Sequence, residues 1–173
     1  MRQSLFALGA ERSEGTSARV DRLSRSEPGV VVRRADAEVI PPLSDHWAFW
    51  QRRIPFLFLT AGRWQHYHQP TDTPDKLDWD KMAATARWLE RMVRESCAGP
   101  SGPVRFTETH DDASTLASLR AVLEPLVKLS PAAELGLTAI RQLEPRLDAR
   151  GALGPTEHAQ LQRLVEQIEA ALA

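Results

Sequence analysis

The sequence predicts an α/β fold in which a partial, mainly parallel sheet is covered by helices, followed by a C-terminal helical extension. Short apolar runs alternate with helical segments along residues 1–97, and this alternation is typical of a covered α/β sheet. A Gly- and Pro-rich break follows, and residues 98–110 are predicted to be a linker. Leucines then recur at helical spacing through residues 111–173, which form the predicted extension.

The first elements are short. Residues 4–8 form an apolar run that predicts a buried strand. Residues 15–26 have a weak helical pattern, and the Pro-Gly pair at 28–29 predicts a turn before a second strand at residues 30–32. Strand, helix and strand in this order favour a parallel pair.

A short helix and the most strand-like segment come next. Ser44 is the predicted N-cap of a helix that ends in basic residues, which suit the negative end of the helix dipole. Residues 54–60 are apolar at nearly every position, which predicts a strand covered on both faces. Three aromatic residues of the short helix are predicted to be core: Trp47, Phe49 and Trp50.

Residues 61–77 contain prolines, a glycine and many polar groups, and they are predicted to be a loop. Asp78 is the predicted cap of a helix over residues 79–95. An apolar stripe is expected to bury that helix against the sheet, and it consists of Met82, Ala86, Leu89 and Val93.

Residues 111–173 are predicted to form two or three short helices packed as a hairpin or a small bundle. Thr156 is the candidate N-cap of the last helix. The predicted apolar stripes are Leu116, Leu119 and Leu123, then Leu135, Ile140 and Leu143, then Leu161, Leu164, Val165, Ile168 and Leu172.

Composition excludes several classes of function. A net charge of −1 gives no reason to expect nucleic acid or an anionic membrane as a partner. No apolar run approaches the roughly 20 residues that span a bilayer. The apolar stretch at the start of the sequence is too short for a signal peptide. Cys97 is the only cysteine, so any metal must be held by histidines and carboxylates. Localisation stays unknown.

The loop after the predicted strand at 54–60 carries the candidate chemistry. Functional groups of open α/β sheets gather just past the carboxyl ends of strands. His66 and His68 alternate, so they would point the same way in an extended segment. Pro70 stiffens the backbone after His68, which suits an imidazole aimed at a metal. A surface or hydrogen-bonded structural histidine is the alternative.

Three blocks occur together in order: Ser-Asp-His at 44–46, Ile-Pro before the apolar strand at 54–60, and Tyr-His-x-Pro-x-Asp-Thr at 67–73. Together they resemble the C-terminal half of the co-catalytic two-zinc aminopeptidases, metallopeptidase family twenty-eight, whose fold is shared with glutaminyl cyclases. Residues 5–11 also resemble the family strand and Gly-x-Glu that precede these blocks. The resemblance covers about residues 3–96 and implies an incomplete zinc-exopeptidase-like fold.

The resemblance assigns roles to single residues. It implies that His68 is the last zinc ligand and that Tyr67 flanks the site. It implies that Asp45 is an acid that orients a ligand, although a carboxylate at a helix start is also favoured by the dipole alone. His46 is expected to support the loop. The other expected positions are Asp72 and Thr73 closing the loop, Asp75 and Lys76 on the surface, His66 in the loop, and solvent-exposed His110 and His158.

Most of the family's ligand set has no counterpart here. The family's His-x-Asp, second Asp, Glu-Glu pair and later Asp lie upstream of this region, whereas the chain has no histidine before His46 and no Glu-Glu pair. The resemblance implies two zinc ions in the complete domain, but this chain alone is not expected to bind zinc firmly. A fragment with a misplaced start, a degenerate paralogue, and a chain that pairs with a partner supplying the missing half all stay open.

The leading hypothesis is a zinc-dependent aminopeptidase-family protein that hydrolyses N-terminal peptide bonds in its complete form and is truncated or inactive alone. Its substrate would be a peptide. The alternative is a non-catalytic scaffold or partner-binding protein, which residues 111–173 favour because the minimal family domain ends near the helix at 79–95. A glutaminyl cyclase is the least favoured alternative.

Overall fold

A computed structural model describes residues 3–62, 65–98 and 104–172, and it has the predicted α/β class. Residues 99–103 of the predicted linker and the side chain of Leu172 lie outside the described part. The strands are β1 (Ser4–Leu8), β2 (Val31–Ala35) and β3 (Phe58–Thr60). The α-helices are α1 (Thr16–Ser24), α2 (His46–Gln51), α3 (Trp79–Cys97), α4 (Asp112–Leu123), α5 (Pro131–Leu143) and α6 (Pro155–Leu172).

The sheet is small and mixed, with the strand order β2-β1-β3. β1 runs parallel to β2, with Leu5 opposite Val32, because α1 carries the chain back between them. β3 runs antiparallel to β1, with Ala7 opposite Leu59, so one of the two pairs departs from the parallel expectation.

The prediction for residues 54–60 is wrong in extent and in burial. Only Phe58–Thr60 form a strand, and all three residues are partly exposed. β3 pairs with β1 on one side and has no second partner among the described strands. An apolar run therefore marks an edge strand here, since apolar content does not reveal how many faces are covered.

The core of the sheet lies between β1, α1 and α3. Asp78 caps α3 as predicted, because its carboxylate accepts a hydrogen bond of 3.0 Å from the backbone N–H of Lys81. The predicted burial face of α3 is wrong, since all four residues of that stripe are exposed. The buried face is Ala84, Trp88 and Met92, which pack against Leu5, Ala7, Val20 and Leu23.

Three helices form the C-terminal bundle, as predicted, around a shared apolar core. Leu135, predicted to be core, is 72% exposed. Its neighbour Gly136 is buried instead, and an added Cβ there would lie 2.7 Å from Cδ1 of Leu123. Thr156 lies inside α6, which begins at Pro155, so it is not the N-cap. None of the described helices is long and apolar enough to cross a membrane.

The bundle packs directly on the sheet through α4 and β2. Ser118 donates a hydrogen bond of 2.6 Å to the carbonyl of Arg34, and Thr115 accepts one of 2.8 Å from the backbone N–H of Asp36. The segment before α4 also contacts the residues that follow β1. The backbone N–H of Thr107 donates a hydrogen bond of 3.0 Å to the carbonyl of Arg12. The division into residues 1–97, 98–110 and 111–173 stays a prediction.

Candidate functional site

The loop after β3 presents His68 to solvent. His68 has a left-handed backbone with φ 58°, and its ring lies 4.0 Å from the ring of Tyr67. Both side chains are exposed. The backbone turns here, since the Gln69 N–H donates a hydrogen bond of 2.9 Å to the carbonyl of His66. The segment is therefore not extended, and an extended segment was the basis for expecting His66 and His68 to point the same way.

Hydrogen bonds within the loop fix its shape. His66 Nδ1 lies 2.8 Å from Oγ1 of Thr71. Thr73 donates to the carbonyl of Thr71 at 3.4 Å and accepts from Lys76 Nζ at 2.6 Å, which agrees with its predicted structural role. Asp72 contributes to the loop through a hydrogen bond from its backbone N–H, and the structure shows no such bond from its side chain among the described residues. Lys76 and its neighbour Asp75 lie on the surface as predicted.

The Ser-Asp-His block forms the start of α2. Asp45 is exposed at the N-cap position and its side chain makes no capping hydrogen bond. His46 is buried, with its ring centroid 5.1 Å from that of Phe58. Burial lowers the pKa of His46, so the ring is neutral. It packs as an aromatic ring between α2 and β3. The core assignment of Trp47 and Phe49 is wrong, because both are exposed.

The described residues do not assemble a zinc pair around His68. In the part of the chain that the structure describes, one group of three potential ligands has its ligand atoms within 4.8 Å of one another, and it contains neither His68 nor Asp45. A zinc site needs about three protein ligands, and the described residues do not bring two others to the predicted ligand His68.

That group of three consists of Glu38, His110 and His158, beside β2 where the bundle meets the sheet. His158 Nδ1 lies 2.7 Å from Asp112, and its Nε2 lies 3.0 Å from Oε2 of Glu38. The ring of His110 is 4.2 Å from that of His158, and its Nδ1 lies 3.3 Å from Asp36. The side chain of His158 is 13% exposed, so its predicted exposure is wrong, whereas His110 is 37% exposed, as predicted.

Hydrogen bonds and burial shift the pKa values of several groups in and around this cluster. Hydrogen bonds to Asp112 and Glu38 raise the pKa of His158 to about 10. The bond to His158 lowers the pKa of Glu38 to about 2, so the two form an ion pair at neutral pH. Burial raises the pKa of Asp36, and burial with the nearby Asp36 charge raises the pKa of Glu11 to about 7. Sequence patterns did not indicate the cluster, because its members come from three distant segments.

An open apolar cleft of about 420 Å³ lies between α3 and the segment before β3. Leu89 and Val93 of the exposed α3 stripe line it, together with Phe56 and Leu57. Two of the four stripe residues that sequence periodicity assigned to the core, Leu89 and Val93, therefore face this cleft, whereas Met82 and Ala86 do not line it.

Comparison with known proteins gives one match. The model of peptidase family M28 matches residues 2–93, which is more than half of the chain. The matched range holds all three strands and most of α3, and it contains Asp45, Tyr67 and His68. No curated protein and no solved structure matches the chain.

Proposed function

Since the chain belongs to peptidase family M28, we propose that it is part of a zinc-dependent aminopeptidase domain that hydrolyses N-terminal peptide bonds when complete. The observation that carries this proposal is the family match over residues 2–93, which includes the Tyr-His-x-Pro-x-Asp-Thr block. Peptidases of this class act on the terminal peptide bond, so the proposed substrate is a peptide.

His68 is the proposed metal ligand of this chain. Its exposure in the loop that follows β3 leaves it accessible to a metal held by ligands from elsewhere. Tyr67, whose ring lies 4.0 Å from that of His68 at an interplanar angle of 51°, would flank the site. Asp45 is free of capping bonds and exposed, which leaves its carboxylate available to orient a ligand.

We propose that this chain alone does not bind the zinc pair. The described residues place no second and third ligand beside His68, and the sequence before His46 contains no histidine. The remaining ligands and the general base would come from another segment or from a partner chain. Hydrolysis of peptides by this chain alone is therefore not expected.

Two preparations test this proposal with aminoacyl-p-nitroanilide substrates. The 173-residue chain alone should show no chelator-sensitive hydrolysis. A chain extended with its upstream coding sequence, where that encodes His-x-Asp and Glu-Glu, should hydrolyse the substrates and lose at least about tenfold in activity on His68→Ala. His66→Ala is the matched control from the same loop and should retain activity. Chelator-sensitive hydrolysis by the chain alone would contradict the proposal that it does not bind the zinc pair by itself. An inactive extended chain would contradict the peptidase function.

A non-catalytic, partner-binding role is the second candidate, and the apolar cleft beside α3 favours it. Exposed apolar side chains in and near a cleft are typical of an interaction surface. Leu89→Glu, at the cleft, should weaken self-association or partner capture measured by light scattering after size exclusion. Leu135→Glu is the matched control, because Leu135 is exposed on α5 and does not line the cleft. Equal behaviour of both variants and the parent chain would count against this role.

A further inference from the structure

The junction between sheet and bundle holds two imidazoles and a carboxylate that face one another. Glu38 lies just after β2, His110 just before α4, and His158 in the first turns of α6. One ligand atom from each lies within 4.8 Å of the others. We propose that Glu38, His110 and His158 bind one divalent transition-metal ion such as Zn²⁺, at a site that does not include His68.

The distances suit an ion of this size. Tetrahedral zinc with bonds of about 2.0–2.1 Å holds its ligand atoms roughly 3.3 Å apart. His158 Nε2 is 3.0 Å from Oε2 of Glu38, and His110 Nδ1 is 3.8 Å from Oε1 of the same carboxylate. The ion would replace the proton that His158 and Glu38 now share, and Glu38 would bind through one of its two oxygens, which leaves a fourth position open. Arg12 Nη2, which lies 2.8 Å from Oε1 of Glu38 and 3.5 Å from His110 Nδ1, would have to move aside.

A metal-binding histidine usually donates its other ring N–H to a carboxylate or a carbonyl, and His158 has such a partner. Asp112 is fully buried and accepts from His158 Nδ1 at 2.7 Å, which directs Nε2 towards Glu38. Asp112 is itself held by the backbone N–H of Leu153 at 2.8 Å. Gln162 Nε2 donates a hydrogen bond of 2.6 Å to Oε2 of Glu38 and lies 3.1 Å from His158 Nε2, so it holds the Glu38 carboxylate in place.

The charges also match a divalent ion. With both imidazoles neutral, the carboxylates of Asp36, Glu38 and Asp112 face one guanidinium among the residues that the structure describes. Arg12 Nη2 lies 2.8 Å from Glu38 and 3.7 Å from Asp36. This leaves two negative charges, which one divalent cation would balance. Glu11, beside Arg12 at 3.3 Å, adds a further charge only where its carboxyl is ionised.

The ligand set selects the kind of metal. Two imidazoles with one carboxylate suit Zn²⁺, Co²⁺ or Ni²⁺ and do not suit Mg²⁺ or Ca²⁺, which prefer oxygen ligands. Glu38 belongs to the family-matched range, whereas His110 and His158 lie beyond it. The ion would therefore link the peptidase-family part of the chain to the C-terminal helices and stabilise their contact.

The test is a titration of the metal-free chain with Zn²⁺ at pH 8, read by competition with a chromophoric chelator, and with Co²⁺, read by its visible absorption. We expect one ion per chain and a rise in the thermal midpoint on binding. His110→Ala should weaken binding by at least about tenfold and remove the midpoint rise. His110 is the chosen position because its side chain is 37% exposed, so the variant should keep its fold, which circular dichroism checks.

His66→Ala is the control, and it should leave the affinity and the midpoint rise unchanged, because His66 is not part of the cluster. Binding should strengthen from pH 6 to pH 8, because the ion displaces the proton of His158. Absence of stoichiometric binding at pH 8 would overturn the proposal, as would binding that His110→Ala leaves intact. Binding lost in His68→Ala alone would also overturn it, and it would locate the metal at the family ligand.

Discussion

The carboxylate of Asp112 lies 2.7 Å from Nδ1 of His158, which joins the first turn of α4 to the first turns of α6. The other ring nitrogen of His158 reaches Glu38 beside β2 at 3.0 Å. One imidazolium thus connects two helices of the bundle to the sheet. Because Asp112 is fully buried, its charge depends on this partner for compensation.

Stability should depend on pH at both ends of the range. The folded-state pKa of His158, about 10, lies above its ordinary value of 6.5, so its contribution is complete below pH 6.5 and is lost as pH rises towards 10. Glu38 has the opposite sign: its contribution is complete above pH 4.5 and is lost as pH falls towards 2. Urea unfolding of metal-free protein between pH 2 and 10 measures both losses, and His158→Gln should reduce the alkaline loss.

Replacing His158 should destabilise the fold strongly. His158→Gln leaves the buried carboxylate of Asp112 without its cationic partner, which costs roughly 3 kcal/mol in the free energy of unfolding. His68→Gln is the matched control and should change it by no more than about 0.5 kcal/mol, because His68 is exposed. Chemical denaturation measures both, and equal effects would show that the ion pair does not stabilise the junction.

Two glycines separate backbone strain from packing. Gly9 and Gly15 both have left-handed backbones, with φ 86° and 73°. Gly15→Ala meets nothing within 4 Å and should cost about 1 kcal/mol from strain alone. Gly9→Ala also places its Cβ 2.5 Å from the ring of Phe56, which should add about 1–3 kcal/mol. Similar thermal midpoints for the two variants would mean that Phe56 does not pack there.

Two tryptophans of α3 test which face of that helix is buried. Trp88 is fully buried against the sheet core, so Trp88→Ala should cost about 3–5 kcal/mol in the free energy of unfolding. Trp79 is 60% exposed, and Trp79→Ala should cost less than about 1 kcal/mol. The reverse order in urea unfolding would show that the face of α3 that carries Trp88 is not the buried one.

Local patterns predicted the element types well. The apolar run at β1, the Asp78 cap of α3 and the leucine spacing of the bundle depend on neighbouring residues, and the structure confirms each of them. Burial was predicted less well. α3 has apolar residues on more than one face. The buried face is the one that carries Trp88, because that ring packs against residues of α1 and β1.

The sequence by itself determined the α/β class and, through the blocks at 44–46 and 67–73, the peptidase family, because both depend on residue order and short spacings. Only the tertiary structure decided the antiparallel placement of β3 and the junction of Glu38, His110 and His158. These features bring together segments that lie far apart in the chain. Their contacts depend on how helices and strands pack in space, which no local pattern encodes.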